Sequence, residues 1–252
     1  MSYDLLLLGA PRTATRSLWT TLGNHENICN SDVKEIFNMD SFWKYMEFFQ
    51  TTSNTKVLVD GTPSPYKHHE YRLRVMLGIF KEISSIKILY PLRKPHDRLY
   101  STIKQTAVSK SLGRGQWTNF ITDEIRLNLV GLFDFIQYNF FDSDMIFKAK
   151  SFSKNILFFR FDELESIVDK ILDFLNLEWQ QLDICVENTF SMMFDMSRFK
   201  VLKSDMDDLF RIGSEGRIIL NKIFVEDLNK VQKMTGLNLK DWIEEIQDEG
   251  IQ

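Results

Sequence analysis

An α/β fold is what the sequence predicts: a parallel β-sheet flanked by helices on both faces, with a helix-rich C-terminal part. Three observations carry the prediction. Four short apolar runs, Asp4 to Gly9, Lys56 to Asp60, Ile86 to Leu92 and Asn155 to Phe161, are too short for helices and continuously apolar, as strands buried on both faces are. Helical segments lie between them, and strands separated by helices imply parallel pairing. Gly (11) and Pro (5) are scarce among 252 residues, so the fold is helix-rich with few tight turns.

The elements follow in order. The first strand runs through a turn of small residues into a helix, Thr15 to Leu22. After the third strand a helix spans Pro95 to Val108, proline being suited to the first helical turn. Ser109 to Gln116, with Gly113 and Gly115, reads as a mobile loop, and an aromatic helical stretch covers about Asn119 to Lys150. Beyond the fourth strand, Asp162 to Leu175 carries Leu164, Ile167, Val168, Ile171, Leu172 and Leu175 at helical spacing. Two helices broken at Thr235-Gly236 fill Gly216 to Ile246. No internal repeat is visible. The chain, 1–252, reads as a single domain whose central part, about 109–150, forms the acceptor or lid region. In such sheets ligands bind at the carboxyl ends of the strands.

Composition narrows the class. Hydrophobic residues make up 44% and charged residues 26%, ordinary for a globular protein. No apolar run approaches the ~20 residues of a membrane span. The start, Met1 to Asp4, lacks a basic region, and Leu5 to Leu8 is too short for a signal core. Cys29 and Cys185 are too few for a disulfide framework or a zinc cluster. His25 and His96 lack metal-ligand spacing and read as surface residues. These features lead us to expect a cytoplasmic, metal-independent enzyme with neither a membrane nor a nucleic acid as partner. The net charge is -4, yet seven Lys/Arg (Lys87, Arg93, Lys94, Arg98, Lys104, Lys110, Arg114) face one acid, Asp97, between Ile83 and Thr122. A basic patch of that kind suits a small anion better than a nucleic-acid groove, a solvated basic face being the other reading.

The first strand leads into Gly9-Ala10-Pro11-Arg12-Thr13-Ala14-Thr15-Arg16-Ser17-Leu18. A turn of this type can aim successive backbone N–H groups at an anion, and the helix N-terminus adds partial positive charge. Hydroxyls of Thr15 and Ser17 can join them. Against the Walker pattern G-x-x-x-x-G-K-[ST], Ala14 and Thr15 stand where the second Gly and the Lys belong. Cations sit instead at Arg12 and Arg16. An ordinary strand–turn–helix with an incidental arginine is the alternative.

This loop resembles the 5′-phosphosulfate-binding loop of sulfotransferases that use 3′-phosphoadenosine 5′-phosphosulfate (PAPS). The resemblance implies a P-loop-like fold and places Arg12, Thr13, Ala14, Thr15, Arg16 and Ser17 around the nucleotide. Ala14 departs from the family's usual Gly. A second segment, Leu92-Arg93-Lys94-Pro95-His96-Asp97-Arg98-Leu99-Tyr100-Ser101, is similar to the family's 3′-phosphate motif. Arg93 offers a bidentate fork for phosphate and Ser101 a hydroxyl, while Arg98 reads as a structural ion-pair partner. Phe159-Arg160-Phe161-Asp162-Glu163-Leu164, followed by Phe174-Leu175-Asn176-Leu177, resembles a further family segment, with Asp162 and Glu163 expected as helix cap and first-turn charges. Gly216-Arg217 resembles a loop that closes over the nucleotide in glycan-type members.

The same resemblance makes Glu35 the general base and Lys34 the contact to the transferring sulfonate. His68 and His69 compete as base, since imidazole suits neutral pH. They follow Asp60-Gly61-Thr62-Pro63-Ser64-Pro65-Tyr66, which is similar to an acceptor-side turn in which Lys is common at the place of Gly61. The expected reaction is sulfuryl transfer to a hydroxyl on a glycan or small metabolite, releasing adenosine 3′,5′-bisphosphate. A nucleotide kinase or NTPase, with Asp60 as its metal-binding acid, and a non-catalytic nucleotide binder are the other readings.

Overall fold

The computed structural model describes residues 3–9, 12–34, 36, 42–61, 86–99, 101–102, 142–185 and 214–248. The chain divides into two compact units, Met1–Arg93 with Phe147–Asn188 and Lys94–Ile146 with Thr189–Gln252.

In the first unit the elements run β1 (Tyr3–Leu7), α1 (Thr15–Leu22), β2 (Ile28–Asn30), α2 (Phe42–Met46), β3 (Val57–Asp60) and β4 (Lys87–Leu92). The end of α3 (Asp142–Phe152), β5 (Ile156–Arg160) and α4 (Ile167–Leu175) complete it. All four predicted runs are strands, and α1 has its expected bounds. The strands form one parallel sheet in the order β2-β3-β1-β4-β5. Strand β1 lies between β3 and β4, and the chain builds outward on both sides of it. Carboxyl ends at such a switch point open a crevice for ligands.

Burial explains why the runs were legible. Leu5, Leu7, Val57, Val59, Leu89 and Phe159 point to one face, against Leu18 and Leu22 of α1 and Ile167, Val168, Ile171, Leu172 and Leu175 of α4. The alternate residues Leu6, Leu58, Ile88, Tyr90 and Leu92 are buried as well. A strand buried on both faces loses its alternation and keeps only apolar residues. Each such side chain contributes about 1.5–3 kcal/mol by leaving water.

Two elements were not foreseen. Strand β2 has three residues, two of them only half-buried, so no apolar run marks it. Helix α2 has five residues, too few to show a period. The helix expected from Asp162 begins later: Phe161–Glu163 is a 3₁₀ turn, and α4 proper starts at Ile167 after Ser166. Asp162 and Glu163 are first-turn acids of that 3₁₀ turn and not of α4, and Asp162 accepts hydrogen bonds from the Arg160 guanidinium. Buried His25 corrects its surface assignment. Its Nε2 lies 3.1 Å from the Glu178 carbonyl and its Nδ1 accepts from the Asn27 N–H, so it is a core hydrogen-bonding residue.

The second unit contains the helical residues 95–99 and 101–102, the start of α3, and the pair α5 (Ser214–Thr235) and α6 (Lys240–Asp248). The break falls at the expected place, with Gly236 at φ 76. His96 is half-buried, bonded to Asn221 at 2.9 Å and edge-on to Phe224. It too is a packing residue, contrary to the surface expectation.

A buried polar cluster ties this unit together. Arg98 donates to both carboxylate oxygens of Asp142 at 2.8 Å, the structural pair expected of it. Asp227, on the apolar stripe of α5 with Phe224 and Leu228, accepts from the backbone N–H groups of Asp142 and Ser143 and from the Ser143 hydroxyl. It thereby caps the N-terminus of α3 from another helix. Burial, then the Asp142 charge, pushes the Asp227 carboxyl up to about 6. No helix among the described residues is long and apolar enough to cross a membrane.

Candidate anion-binding site

At the carboxyl end of β1 the chain turns back within a few residues. Gly9 is required by close approach: a Cβ there would stand 2.4 Å from the Thr13 Oγ1 and 2.6 Å from the Pro91 ring. Thr13 is fully buried beneath the turn. Arg12 and Ala14 both adopt left-handed backbone, φ 72 and 62, and Ala14 occupies the N-cap position of α1 without a capping side chain. Left-handed backbone costs a non-glycine residue roughly 1–2 kcal/mol. Glycine at position 14 would avoid that cost. Strain of this kind persists only where surrounding contacts hold it.

Arg93, at the end of β4, supplies one such contact. Its Nη1 donates to the Arg12 carbonyl at 3.1 Å, and its guanidinium lies over the Phe161 ring at 4.6 Å. Two arginines thus share one place, and burial, then the charge of Arg93, lowers the pKa of Arg12. A third cation arrives from the segment after β2, where Lys34 Nζ donates to Thr15 Oγ1 at 3.4 Å. This segment is held by Ser31 N–H on the Val59 carbonyl and Asp32 N–H on the Phe48 carbonyl. Adjacent like charges repel, and an anion between them turns that repulsion into attraction. The loop, the start of α1 and three cations form an arrangement suited to a phosphate or sulfate ester.

Of the residues singled out from the sequence, Arg12, Thr13, Thr15, Lys34 and Arg93 come together here. Ala14 shapes the turn. Ser17 is buried in α1, and Arg16 is exposed. Ser101 is half-buried in the helical stretch of the second unit. Gly216 and Arg217 have helical backbone in the first turn of α5, as the two-helix reading of Gly216 to Ile246 expects, which corrects the loop that the resemblance implies there. Glu35, His68 and His69 lie outside the described residues, as does all of 109–150 before Asp142.

The basic window disperses. Arg98 is tied to Asp142, Lys94 to Glu245, and Lys87 donates to the Phe174 carbonyl beside that ring. Only Arg93 of this group joins the loop, while Lys104, Lys110 and Arg114 lie outside the described residues. Of the four cations of the window among the described residues, three therefore serve structural partners and one the loop.

Two residues that sequence reasoning passed over matter here. Phe161 stood inside a quoted motif without a role. Trp19 lies one helical turn beyond Thr15, and a Cβ at Gly61 would come within 2.4 Å of its ring. The indole thus occupies the space that a side chain at 61 would need.

No protein-family model matches the chain, and no curated protein matches it in sequence. Its fold is similar to that of a sulfotransferase from Alicyclobacillus acidocaldarius, with a TM-score of 0.63 at 13% identity, covering 96% of this chain and 99% of that one. Mouse sulfotransferase SULT7A1 complexed with PAP superposes with a TM-score of 0.46 at 16% identity, covering 85% and 87%. At such identities the first likeness establishes the fold, a parallel α/β sheet of the P-loop-like kind.

Proposed function

We propose that this protein is a sulfotransferase that moves a sulfuryl group from PAPS to an acceptor hydroxyl, on a carbohydrate or small metabolite. The observation that carries the reading is the pairing of Arg12 and Arg93 at the carboxyl ends of adjacent strands, over a loop whose Walker lysine is missing. A P-loop NTPase relies on that lysine and on Mg²⁺. Here arginines take the place of both, in a fold shared with a bacterial sulfotransferase.

The residues present fit PAPS by their donor chemistry. Arg12, Thr13, the Ala14 and Thr15 amides, Arg16 and Ser17 would hold the 5′-phosphosulfate. Arg93 and Ser101, by the sequence motif, would hold the 3′-phosphate, with Gly216 and Arg217 near the nucleotide. PAPS supplies an activated sulfuryl group: the acceptor oxygen–sulfur bond forms, the sulfur–phosphate oxygen bond breaks, and its electron pair leaves on adenosine 3′,5′-bisphosphate. Arg12 neutralises charge on the leaving phosphate, and Lys34 steadies the sulfonate from the Thr15 side. Glu35 takes the acceptor proton, with His68 and His69 as the competing bases.

Isothermal calorimetry with adenosine 3′,5′-bisphosphate in EDTA tests the assignment. Binding without metal, at least about tenfold tighter than 5′-AMP, is expected, because a charge-assisted phosphate contact contributes about 1.5–3 kcal/mol. Equal affinities remove the 3′-phosphate site. Transfer of label from PAPS across glycans, phenols and alcohols then identifies the acceptor.

A further inference from the structure

We infer that Phe161 is a positioning residue for the phosphate loop, acting through Arg93. The inference rests on the nucleotide reading above but concerns a residue to which that reading gives no part. Its geometry is a relay of three groups. The Phe161 ring, in the 3₁₀ turn after β5, lies under the Arg93 guanidinium at 4.6 Å. Arg93 Nη1 in turn donates to the Arg12 carbonyl at 3.1 Å. Arg12 is then held at φ 72, a conformation that L-residues rarely keep without support.

Each contact needs the other. A guanidinium is a planar cation, and an aromatic face attracts it while leaving its edge N–H groups free to donate in the ring-parallel plane. Seated on Phe161, the group keeps one edge on the Arg12 carbonyl. Without the ring, Arg93 gains rotamer freedom, and its repulsion with the Arg12 side chain favours swinging away from the loop. The Arg12 carbonyl then loses its donor, and the left-handed turn loses a contact that offsets its strain. Arg93 therefore has two tasks: it presents charge to a phosphate and holds the shape of the loop that binds the other phosphate.

A 3′-phosphate anchor alone makes a different forecast. If Arg93 merely binds the 3′-phosphate, disturbing it leaves the affinity for 5′-AMP, which has no 3′-phosphate, unchanged. If the relay operates, 5′-AMP also binds more weakly. The variants are Phe161→Leu, which removes the aromatic face, and Phe161→Tyr, which keeps it. Calorimetry with 5′-AMP and with adenosine 3′,5′-bisphosphate is run on wild type and both variants, with thermal melts to confirm folding.

The relay predicts that Phe161→Leu weakens both nucleotides by about 3- to 10-fold, the range of a partly desolvated cation–π contact. Phe161→Tyr restores both. An unchanged 5′-AMP affinity in folded Phe161→Leu overturns the relay and leaves the function standing. Failure of tyrosine to restore binding overturns the aromatic contact as cause. If Phe161→Leu does not fold, Arg93→Lys decides the matter: it keeps the charge but not the planar fork, so the relay requires weaker 5′-AMP binding. Wild type that binds neither nucleotide overturns both the relay and the function on which it rests.

Discussion

Replacing Asp227 with asparagine should change how stability depends on pH. Asp227 is 2% exposed, beside the Asp142 carboxylate, and its pKa is raised from an ordinary 3.8 to about 6. A raised carboxyl favours its neutral form in the folded state. Its contribution to stability is therefore complete below the unfolded value near pH 4 and is lost as pH rises through 6. A shift of about two units corresponds to roughly 3 kcal/mol. Asp227→Asn keeps the shape and one acceptor oxygen for the Ser143 N–H and hydroxyl, but does not titrate. Urea unfolding followed by circular dichroism at pH 4.5, 5.5, 6.5 and 7.5 gives both stabilities. Carboxylates that do not interact with Asp227 cancel in the difference between wild type and variant, which leaves Asp227 and its coupled neighbour Asp142. That difference should move in favour of the variant by about 2 kcal/mol from pH 4.5 to 7.5, most of it below pH 6.5. A difference that is flat across the range, or that moves towards wild type, refutes the buried-acid account.

Three more outcomes follow from the loop and its neighbours. Ala14→Gly relieves left-handed strain at φ 62 and should stabilise the protein by about 0.5–1 kcal/mol, read as a higher urea midpoint at unchanged slope; a lower midpoint counts against the strain. Arg12→Ala should lower kcat more than nucleotide affinity, since charge on the leaving phosphate grows towards the transition state, and loss of affinity alone would make Arg12 a ground-state anchor. Glu35→Gln should cost about 10²–10⁴ in rate with nucleotide affinity nearly unchanged, while His68→Ala and His69→Ala are mild; an active Glu35→Gln beside one dead histidine variant moves the base to that histidine.

Local physics made much of the protein legible. Strands β1, β3 and β4 were readable because both of their faces are buried, which leaves runs such as Leu5 to Leu8 unbroken by polar residues; edge strand β5 buries only Phe159 fully but keeps the apolar run Ile156 to Phe159. Helix α1 was readable from the turn before it, and the end of α5 from Thr235-Gly236. The candidate phosphate loop was legible too, since Gly9, the small residues and Arg12 are adjacent in the chain. Tertiary structure decided what distance along the chain conceals. Residue Arg93 is 81 positions from Arg12, and only the β1–β4 pairing brings them together. Of the basic window, Lys87, Lys94 and Arg98 went to structural partners, because a cation's role depends on the group opposite it, which may come from any element. His25 looked like a surface residue until the Glu178 carbonyl and the Asn27 amide claimed its ring. Asp227 did leave a trace, as an acid on an apolar helical stripe, but its meaning required the N-terminus of α3, 85 residues earlier. Backbone periodicity records which face of an element is buried; it does not record what that face meets, and the chemistry of a site is set by the meeting.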